Sequence, residues 1–424
     1  MATMIETSTF WHQILDKGVQ SLVKSLSDQE IIEMTEHYGT HNYHPAMVNV
    51  RAGQGVEVWD GNGKRYLDCI GVYSAMAHGH RNEAILNAVR EQLDVLTVAS
   101  RAVYTSEVAL FLKGLAEYCH LDMVCPMNSG AEANETCIKL ARKWAYTVKG
   151  VPDDQAEIIV CQDNFHGRTT TIIGFSTEKQ YRDKFGPYGP GFKVIPFNDL
   201  EALEAAITPN TAAFFAEPIQ AEGGIIIPEP GYMEKVRKLC TEKNVLLIWD
   251  EVQTGFCRTG KRMGWEHEDA KPDLLAVGKP LGGGIMPVSA AVGRKEVMDV
   301  FEFGDHGSTF GGNPLGAVVA LTAMAQMEVE DFAGQAERKG SRMMKQIADL
   351  NLPEVKELRG RGLLLGIEVH EGVDAKKLGH LFLENGIITK QTRHRTFRMT
   401  PPIVITDSQI DEAVDKIKQT FSQL

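Results

Sequence analysis

The sequence predicts an α/β protein: a large domain built on a mainly parallel sheet, followed by a smaller α+β C-terminal domain. Three observations carry this. Short apolar runs bounded by turn residues recur at 123–127, 157–162, 194–197, 212–216, 245–249 and 274–277, the pattern of strands buried on both faces. Helical periods alternate with them at 131–148, 199–206 and 231–243, which implies strand–helix units and a parallel sheet covered on both sides. Near residue 330 the pattern changes to helix 331–350, GRGLLLGIEV as a strand, helix 373–384, a strand near Ile387, then FRMTPP and a final helix 407–422. The expected parts are an N-terminal segment 1–75, a large domain 76–328 and a small domain 329–424.

A chain of 424 residues is long enough for a large core and two domains. With 43% hydrophobic residues and no long apolar run, no transmembrane segment is expected. A net charge of −12 without a basic tail argues against nucleic-acid or membrane-surface binding. Seven scattered cysteines, with neither C-x-x-C nor His-paired spacing, read as reduced thiols in a cytoplasmic protein with no metal site. The start, MATMIETSTFWHQ, is neither a secretory signal nor an Arg-rich presequence.

Trp11, Ile14, Leu15, Val19, Leu22 and Val23 fall at helical spacing, for packing on the body or on a partner subunit. Ser27 to Glu30 forms a capping-box pattern, so a helix through Glu36 is expected. Alternation over 55–68 with a turn at Asp60-Gly61-Asn62-Gly63 reads as a hairpin. Helices are expected over 82–95 and 106–118. His78 and His80 read as turn histidines rather than metal ligands.

The chemistry concentrates at strand ends, where ligands bind in such sheets. The run 245–249 ends in Asp250-Glu251, and the run 274–277 ends in Gly278-Lys279. One carboxylate and one lysine therefore face a single crevice. Pyridoxal phosphate (PLP) uses this pair: it is held covalently through a lysine, and an acid keeps its ring nitrogen protonated. Lys279 and Asp250 are the candidates, although either residue alone more often serves structure. The strand 123–127 leads through Asn128 to Ser129-Gly130-Ala131 at a helix start. Free N–H groups and the helix dipole there make an anion site suited to the PLP phosphate.

Eight blocks, NSGAEANETCIKLARK, NFHGRT, EPIQAEGG, WDEVQTGFCRTG, GKPLGGGIMPVSA, HGSTFGGNPLG, GRGLLLGIE and FRMTPP, span about 42–406. They resemble the class III aminotransferases of PLP fold type I, and within that class the ornithine aminotransferases. The resemblance implies a seven-stranded, mainly parallel sheet in the large domain. It implies that Phe165 and Val252 cover the two faces of the cofactor ring and that Gln253 approaches its hydroxyl. It implies that Thr309 reaches the phosphate of a neighbouring subunit, hence a homodimer or higher oligomer. Tyr43 and Arg168 are implied to bind a substrate carboxylate, Tyr73 to favour ornithine, and Glu222 to pair with Arg398 as a switch. Two departures touch the pocket: His166 where the ornithine enzymes commonly have Trp, and Ala221 where Gly is usual.

The expected reaction is ping-pong, with Lys279 moving the proton as general base and acid. The expected substrates are L-ornithine and 2-oxoglutarate, yielding glutamate semialdehyde and L-glutamate. Acetylornithine, 4-aminobutyrate or another ω-amine is the alternative donor. A PLP racemase or decarboxylase on the same fold is a further alternative, and a catalytically silent PLP-fold protein is another. The presence of Lys279, Asp250 and the phosphate segment together argues against the last.

Overall fold

The computed structural model describes residues 7–424, so Met1 to Glu6 of the N-terminal segment lie outside the described residues. The chain divides into two compact units, one up to residue 53 with 57–66, the other 54–56 with 67–424. Helices Thr7–Lys17, Val19–Ser25 and Asp28–Tyr38 lie in the first unit and precede strands β1 (Val50–Gln54), β2 (Glu57–Asp60) and β3 (Arg65–Asp68), of which Gln54, Leu67 and Asp68 count with the second. The capping box forms as its residue types require: the Ser27 hydroxyl accepts from the Glu30 N–H at 3.2 Å, and Glu30 accepts from the Ser27 N–H at 2.8 Å. The Asp60 carboxylate closes the hairpin turn by accepting the Asn62 and Lys64 N–H groups, each at 2.9 Å. Trp11, Leu15 and Val19 of the first two helices are exposed.

The second unit contains a seven-stranded sheet. Its strands are β4 (Met123–Met127), β5 (Glu157–Cys161), β6 (Phe192–Ile195), β7 (Thr211–Ala216), β8 (Leu246–Asp250), β9 (Leu274–Val277) and β10 (Ser289–Gly293), in the order β4-β10-β9-β8-β7-β5-β6. Strand β10 runs antiparallel to both neighbours, and β9, β8, β7, β5 and β6 pair parallel. The expected mainly parallel sheet is therefore present. Strand β6 starts and ends two residues before the expected run, because Pro196 has no N–H to continue the ladder.

Period-two alternation divides these strands between two cores. Leu247, Trp249, Phe214, Ile159 and Leu275 join one cluster, while Leu246, Ile248, Phe215, Ile158 and Leu274 join the other. Both faces are dry, which is why these strands read as continuous apolar runs. Helix Pro314–Val329 packs against Glu83–Leu93 and Ser106–Tyr118. It gave no sequence signal because it is apolar on nearly every side and so carries no 3.6-residue stripe.

Strands β11 (Val355–Arg361) and β12 (Leu364–Val369) form a hairpin where one strand was expected. The division falls at Gly362, whose φ of 53° turns the chain. Strand β13 (Ile387–Ile388) pairs parallel with Leu67 and Asp68. Strands β14 (Lys390–Thr392) and β15 (Thr396–Met399) complete an antiparallel sheet ordered β11-β12-β15-β14, accompanied by helices Phe332–Asp349, Ala375–Glu384 and Asp407–Phe421.

Candidate active site

The carboxyl end of β8 places Asp250 beside β9, with Asp250 in register with Ala276. Three residues beyond Ala276 lies Lys279, at a φ of 43°. A non-glycine residue in the left-handed region is strained, and such strain collects at functional sites. The Lys279 side chain is half-buried by accessible surface. Its amine is nonetheless enclosed enough that burial is the largest influence, taking it down to about 8; Glu222 and Asp250 oppose that fall and Arg398 adds to it. At physiological pH this lysine therefore holds a far larger neutral fraction than a free lysine does, and the neutral amine is the form needed of a nucleophile or base.

Asp250 is buried and fully engaged. Its Oδ2 accepts from Asn134 Nδ2 and from His166 Nδ1, both at 2.7 Å, and its Oδ1 accepts from the Val252 N–H at 3.0 Å. A carboxylate has no proton to offer, so His166 carries its proton on Nδ1. The His166 ring stacks on Phe215 at 4.0 Å between centroids. Asn134 also donates to the His166 carbonyl at 2.7 Å, tying the helix Gly130–Trp144 to the loop after β5. A cationic ring nitrogen facing Asp250 meets an acid that cannot swing away.

Ser129 N-caps the helix Gly130–Trp144, with its hydroxyl accepting from the Glu132 N–H at 3.2 Å. Glu132 returns to accept the N–H groups of Ser129 at 2.8 Å and Asn128 at 2.9 Å. The Ser129 N–H is thus committed, and the cradle reduces to Gly130 and Ala131, whose N–H groups have no partner one turn back. Gly130 is required by close approach: a Cβ there would lie 2.8 Å from a Val252 methyl. The Ser289 hydroxyl donates to the Ser129 carbonyl at 2.7 Å and fixes this end of the helix against β10.

The second constellation is Arg398, Glu222 and Gln253. Arg398 Nη1 donates to Glu222 Oε1 at 2.6 Å and to Gln253 Oε1 at 3.0 Å. Arg398 is fully buried, yet its Nε and Nη2 have no hydrogen-bond partner among the described residues. Burial pushes Glu222 up, but Arg398 and Lys279 outweigh it and hold the carboxyl below its usual range. Tyr73 lies under the arginine, 5.4 Å from ring centroid to guanidinium. It is presented by four consecutive left-handed residues, Gly71 to Ser74, at a cost of about 1–2 kcal/mol for each non-glycine residue. Asp68, accepting the Gly71 N–H at 2.8 Å, and Thr400, donating to the Ile70 carbonyl at 2.9 Å, hold that turn in place.

Phe165 and Arg168 lie on the loop after β5. The Phe165 N–H donates to Glu217 at 3.0 Å. Burial first, and the neighbouring Asp250 after it, raise the Glu217 carboxyl well above the ordinary range. Arg168 is exposed, and no hydrogen bond or ion pair engages its guanidinium among the described residues. Thr309 is exposed on the loop between helix Lys295–Met298 and helix Pro314–Val329. Tyr43 belongs to the first unit, where its ring is exposed.

Asn134, Glu132 and Glu217 were not foreseen. Asn134 left a readable signal, being a polar residue one turn before Cys137 and Ile138 on the buried face of its helix. Glu132 closes a Ser-x-x-Glu capping box as its fourth residue, a pattern visible in the sequence. Glu217 left none, because only the three-dimensional enclosure distinguishes it from Glu222. The pocket fits PLP on its own geometry: an enclosed amine, an anchored carboxylate, a helix start that only glycine admits, and orphaned polar atoms at Asn134 Oδ1, His166 Nε2 and Arg398.

Known proteins agree with this geometry. A family profile described as aminotransferase class-III matches residues 38–421. The ornithine aminotransferase of Brevibacillus brevis is 47% identical over 391 residues, covering 92% of this chain and 98% of that protein. The one from Bacillus subtilis is 43% identical over 393 residues, 93% of this chain and 98% of that protein. Among solved structures, the ornithine aminotransferase from Toxoplasma gondii superposes with a TM-score of 0.92 at 41% identity, covering 94% of this chain and 96% of its own. The acetylornithine aminotransferase from Elizabethkingia anophelis gives a TM-score of 0.85 at 40% identity, covering 94% and 100%.

Proposed function

The chain belongs to the class III aminotransferases, PLP enzymes, and from that premise we propose that it moves the δ-amino group of L-ornithine to 2-oxoglutarate, giving glutamate semialdehyde and L-glutamate. The observation that carries the choice of an ω-amine donor is the buried Arg398–Glu222 pair at 2.6 Å. Ornithine presents a terminal amine with its carboxylate far away, whereas glutamate presents an α-amine with a carboxylate beside it. A permanently free arginine next to Lys279 would draw in the α-carboxylate of both. Glu222 neutralises Arg398 while ornithine reacts and yields it to the α-carboxylate of glutamate. The unengaged Nε and Nη2 of Arg398 are donors suited to that carboxylate.

When bound, PLP accepts the amino group and delocalises the electron pair left at the carbon that loses its proton. Lys279 Nζ takes that proton and returns it, Asp250 holds the charge of the ring nitrogen, Gly130 and Ala131 hold the phosphate, and Phe165 and Val252 enclose the ring. Gln253 approaches the ring hydroxyl. Arg168 receives the distal carboxylate, and Tyr73 supports the bias toward ornithine. A homodimer in which Thr309 completes the partner's phosphate site is supported by exposed Tyr104, Phe303 and Phe310, an apolar surface of the kind subunits cover. A cytoplasmic location is supported by seven unpaired thiols.

Acetylornithine is the second reading, favoured by the Elizabethkingia structure and by His166, since the Arg398–Glu222 pair serves either donor. An amine-donor panel with 2-oxoglutarate, read as glutamate formed, separates them. Ornithine should give the highest kcat/KM. A wide preference for acetylornithine or 4-aminobutyrate refutes the substrate assignment and leaves the family unaffected. Racemisation without an oxo acid would refute the proposed transamination.

A further inference from the structure

Arg168 and Arg393 share one aromatic ring yet are held in opposite ways. The Arg168 guanidinium lies 3.5 Å from the centroid of Tyr181 and 5.5 Å from that of Phe165, while the two rings meet edge to face at 5.9 Å. Those faces are its only described contacts, and its five N–H donors remain open. Arg393 lies 5.9 Å from the same Tyr181 ring, but it is bound to two carboxylates. It pairs with Asp163, just before the Phe165–Arg168 loop, and with Glu178 at 3.3 Å. Glu178 caps the short helix Lys179–Arg182 that carries Tyr181. Next to Arg393, the Thr392 hydroxyl donates to the Glu222 carbonyl at 2.5 Å.

We propose that Tyr181 is a specificity-determining positioning residue, a ring platform that holds the free Arg168 guanidinium toward the substrate's distal carboxylate, and that Arg393 locks that platform to the Arg168 loop. This rests on the reading that Arg168 receives that carboxylate. The chemistry follows from donor geometry. A guanidinium stacked flat on a ring keeps its in-plane N–H fork available for a carboxylate, whereas an ion-paired guanidinium does not. A flexible exposed arginine loses rotamer freedom when it binds, and the platform removes that loss beforehand. The platform touches neither Lys279 nor Asp250, so it acts on binding and leaves the proton transfer alone. The predicted signature is therefore a change in KM with kcat preserved.

The experiment uses the PLP-loaded enzyme and the variants Tyr181→Leu, Tyr181→Phe, Arg393→Gln and Arg168→Leu. Steady-state KM is measured for ornithine and for 2-oxoglutarate, alongside 1,4-diaminobutane, a donor with no carboxylate. Tyr181→Leu and Arg393→Gln should raise KM for both carboxylate substrates roughly three- to thirty-fold, the range of a cation–π contact. Their kcat should stay within about twofold, and the KM for the diamine should not move. Tyr181→Phe keeps the ring face and should restore KM. Arg168→Leu separates the inference from the reading beneath it. If Arg168→Leu raises both KM values and Tyr181→Leu raises neither, the platform is refuted and the role of Arg168 stands. If neither variant raises KM, both are refuted. A fall in kcat, an equal change for the diamine, or a Phe variant as impaired as Leu also overturns the proposal.

Discussion

Replacing Glu222 by Gln tests the switch with the least disturbance to packing. Gln keeps the length and one carbonyl oxygen, so Arg398 retains an acceptor there and keeps Gln253 Oε1 at 3.0 Å. Only the charge is lost. In the wild-type protein the 2.6 Å contact consumes the guanidinium's attraction for any nearby carboxylate. Without the charge, a substrate carboxylate at Arg398 gains a hydrogen bond to a charged group, about 1.5–3 kcal/mol, roughly a ten- to 150-fold shift in preference. That shift favours the orientation with the α-carboxylate at Arg398 and the α-amine at Lys279. Ornithine labelled with 15N at the δ position provides the readout. The δ reaction passes the label to glutamate; the α reaction leaves it on the five-carbon product. The labelled fraction of glutamate should fall by at least tenfold relative to unlabelled in the variant, and kcat/KM for glutamate as donor should rise. An unchanged labelled fraction would refute the idea that Glu222 controls orientation. Arg398 and Lys279 together hold Glu222 below the usual carboxylate range, so the wild-type ratio should be flat from neutral to mildly alkaline pH.

Lys279→Ala should remove nearly all turnover and any borohydride-fixed link between chain and cofactor; a surviving link means another lysine carries it. Asp250→Asn should keep the fold, because the amide oxygen can still accept from Asn134 and His166 and only the Val252 N–H loses its acceptor, but should lower kcat by on the order of 10²–10³, the loss typical of a preorganised electrostatic group; near-normal kinetics would contradict its assignment. In the apoenzyme, Lys279 should react with an amine-selective reagent with a midpoint near pH 8 rather than 10.5, read by peptide mapping. The unfolded chain keeps that proton up to about 10.5, so apoenzyme stability should also rise with pH between about 8 and 10.5, and a flat profile would count against a depressed value. Mixing Lys279→Ala with Thr309→Ala subunits should recover part of the activity, since each heterodimer has one site free of both changes; demonstrated heterodimers without recovery would refute site sharing.

The sheet was legible because its strands are short apolar runs punctuated by turn residues, and Asp250 and Lys279 stood at two run ends. The exceptions have physical reasons. Helix Pro314–Val329 is buried on nearly every side, and burial erases the periodic stripe by which a helix is read. The β11–β12 hairpin turned at Gly362, one glycine among several in GRGLLLGIEV. The division into compact units at residue 66 follows contacts that no local composition shift announces. Within the site, motif order located Glu222 and Arg398, 176 positions apart, but not what Arg168 rests on. Tyr181 follows a capping Glu178 in a stretch that reads as solvated loop, and only the fold brings it under Arg168. His166 was visible as a departure, whereas its bond to Asp250 was not.

The proposed roles of the two arginines imply an order of preference for substrates. Arg398 is buried and paired, so occupying it requires moving Glu222 out of a desolvated contact; uncoupling such pairs costs about 3–5 kcal/mol when no partner replaces the lost one. Arg168 is exposed and unpaired, so a carboxylate reaches it without displacing anything. On the proposed roles, a substrate with one carboxylate would go to Arg168 and leave its far end for Lys279, which would select an ω-amine. Only a dicarboxylate can occupy Arg168 and still supply a second carboxylate to replace Glu222 at Arg398, recovering the cost of opening the pair. On these roles the same pocket would react at the δ-amine of ornithine and at the α-carbon of glutamate.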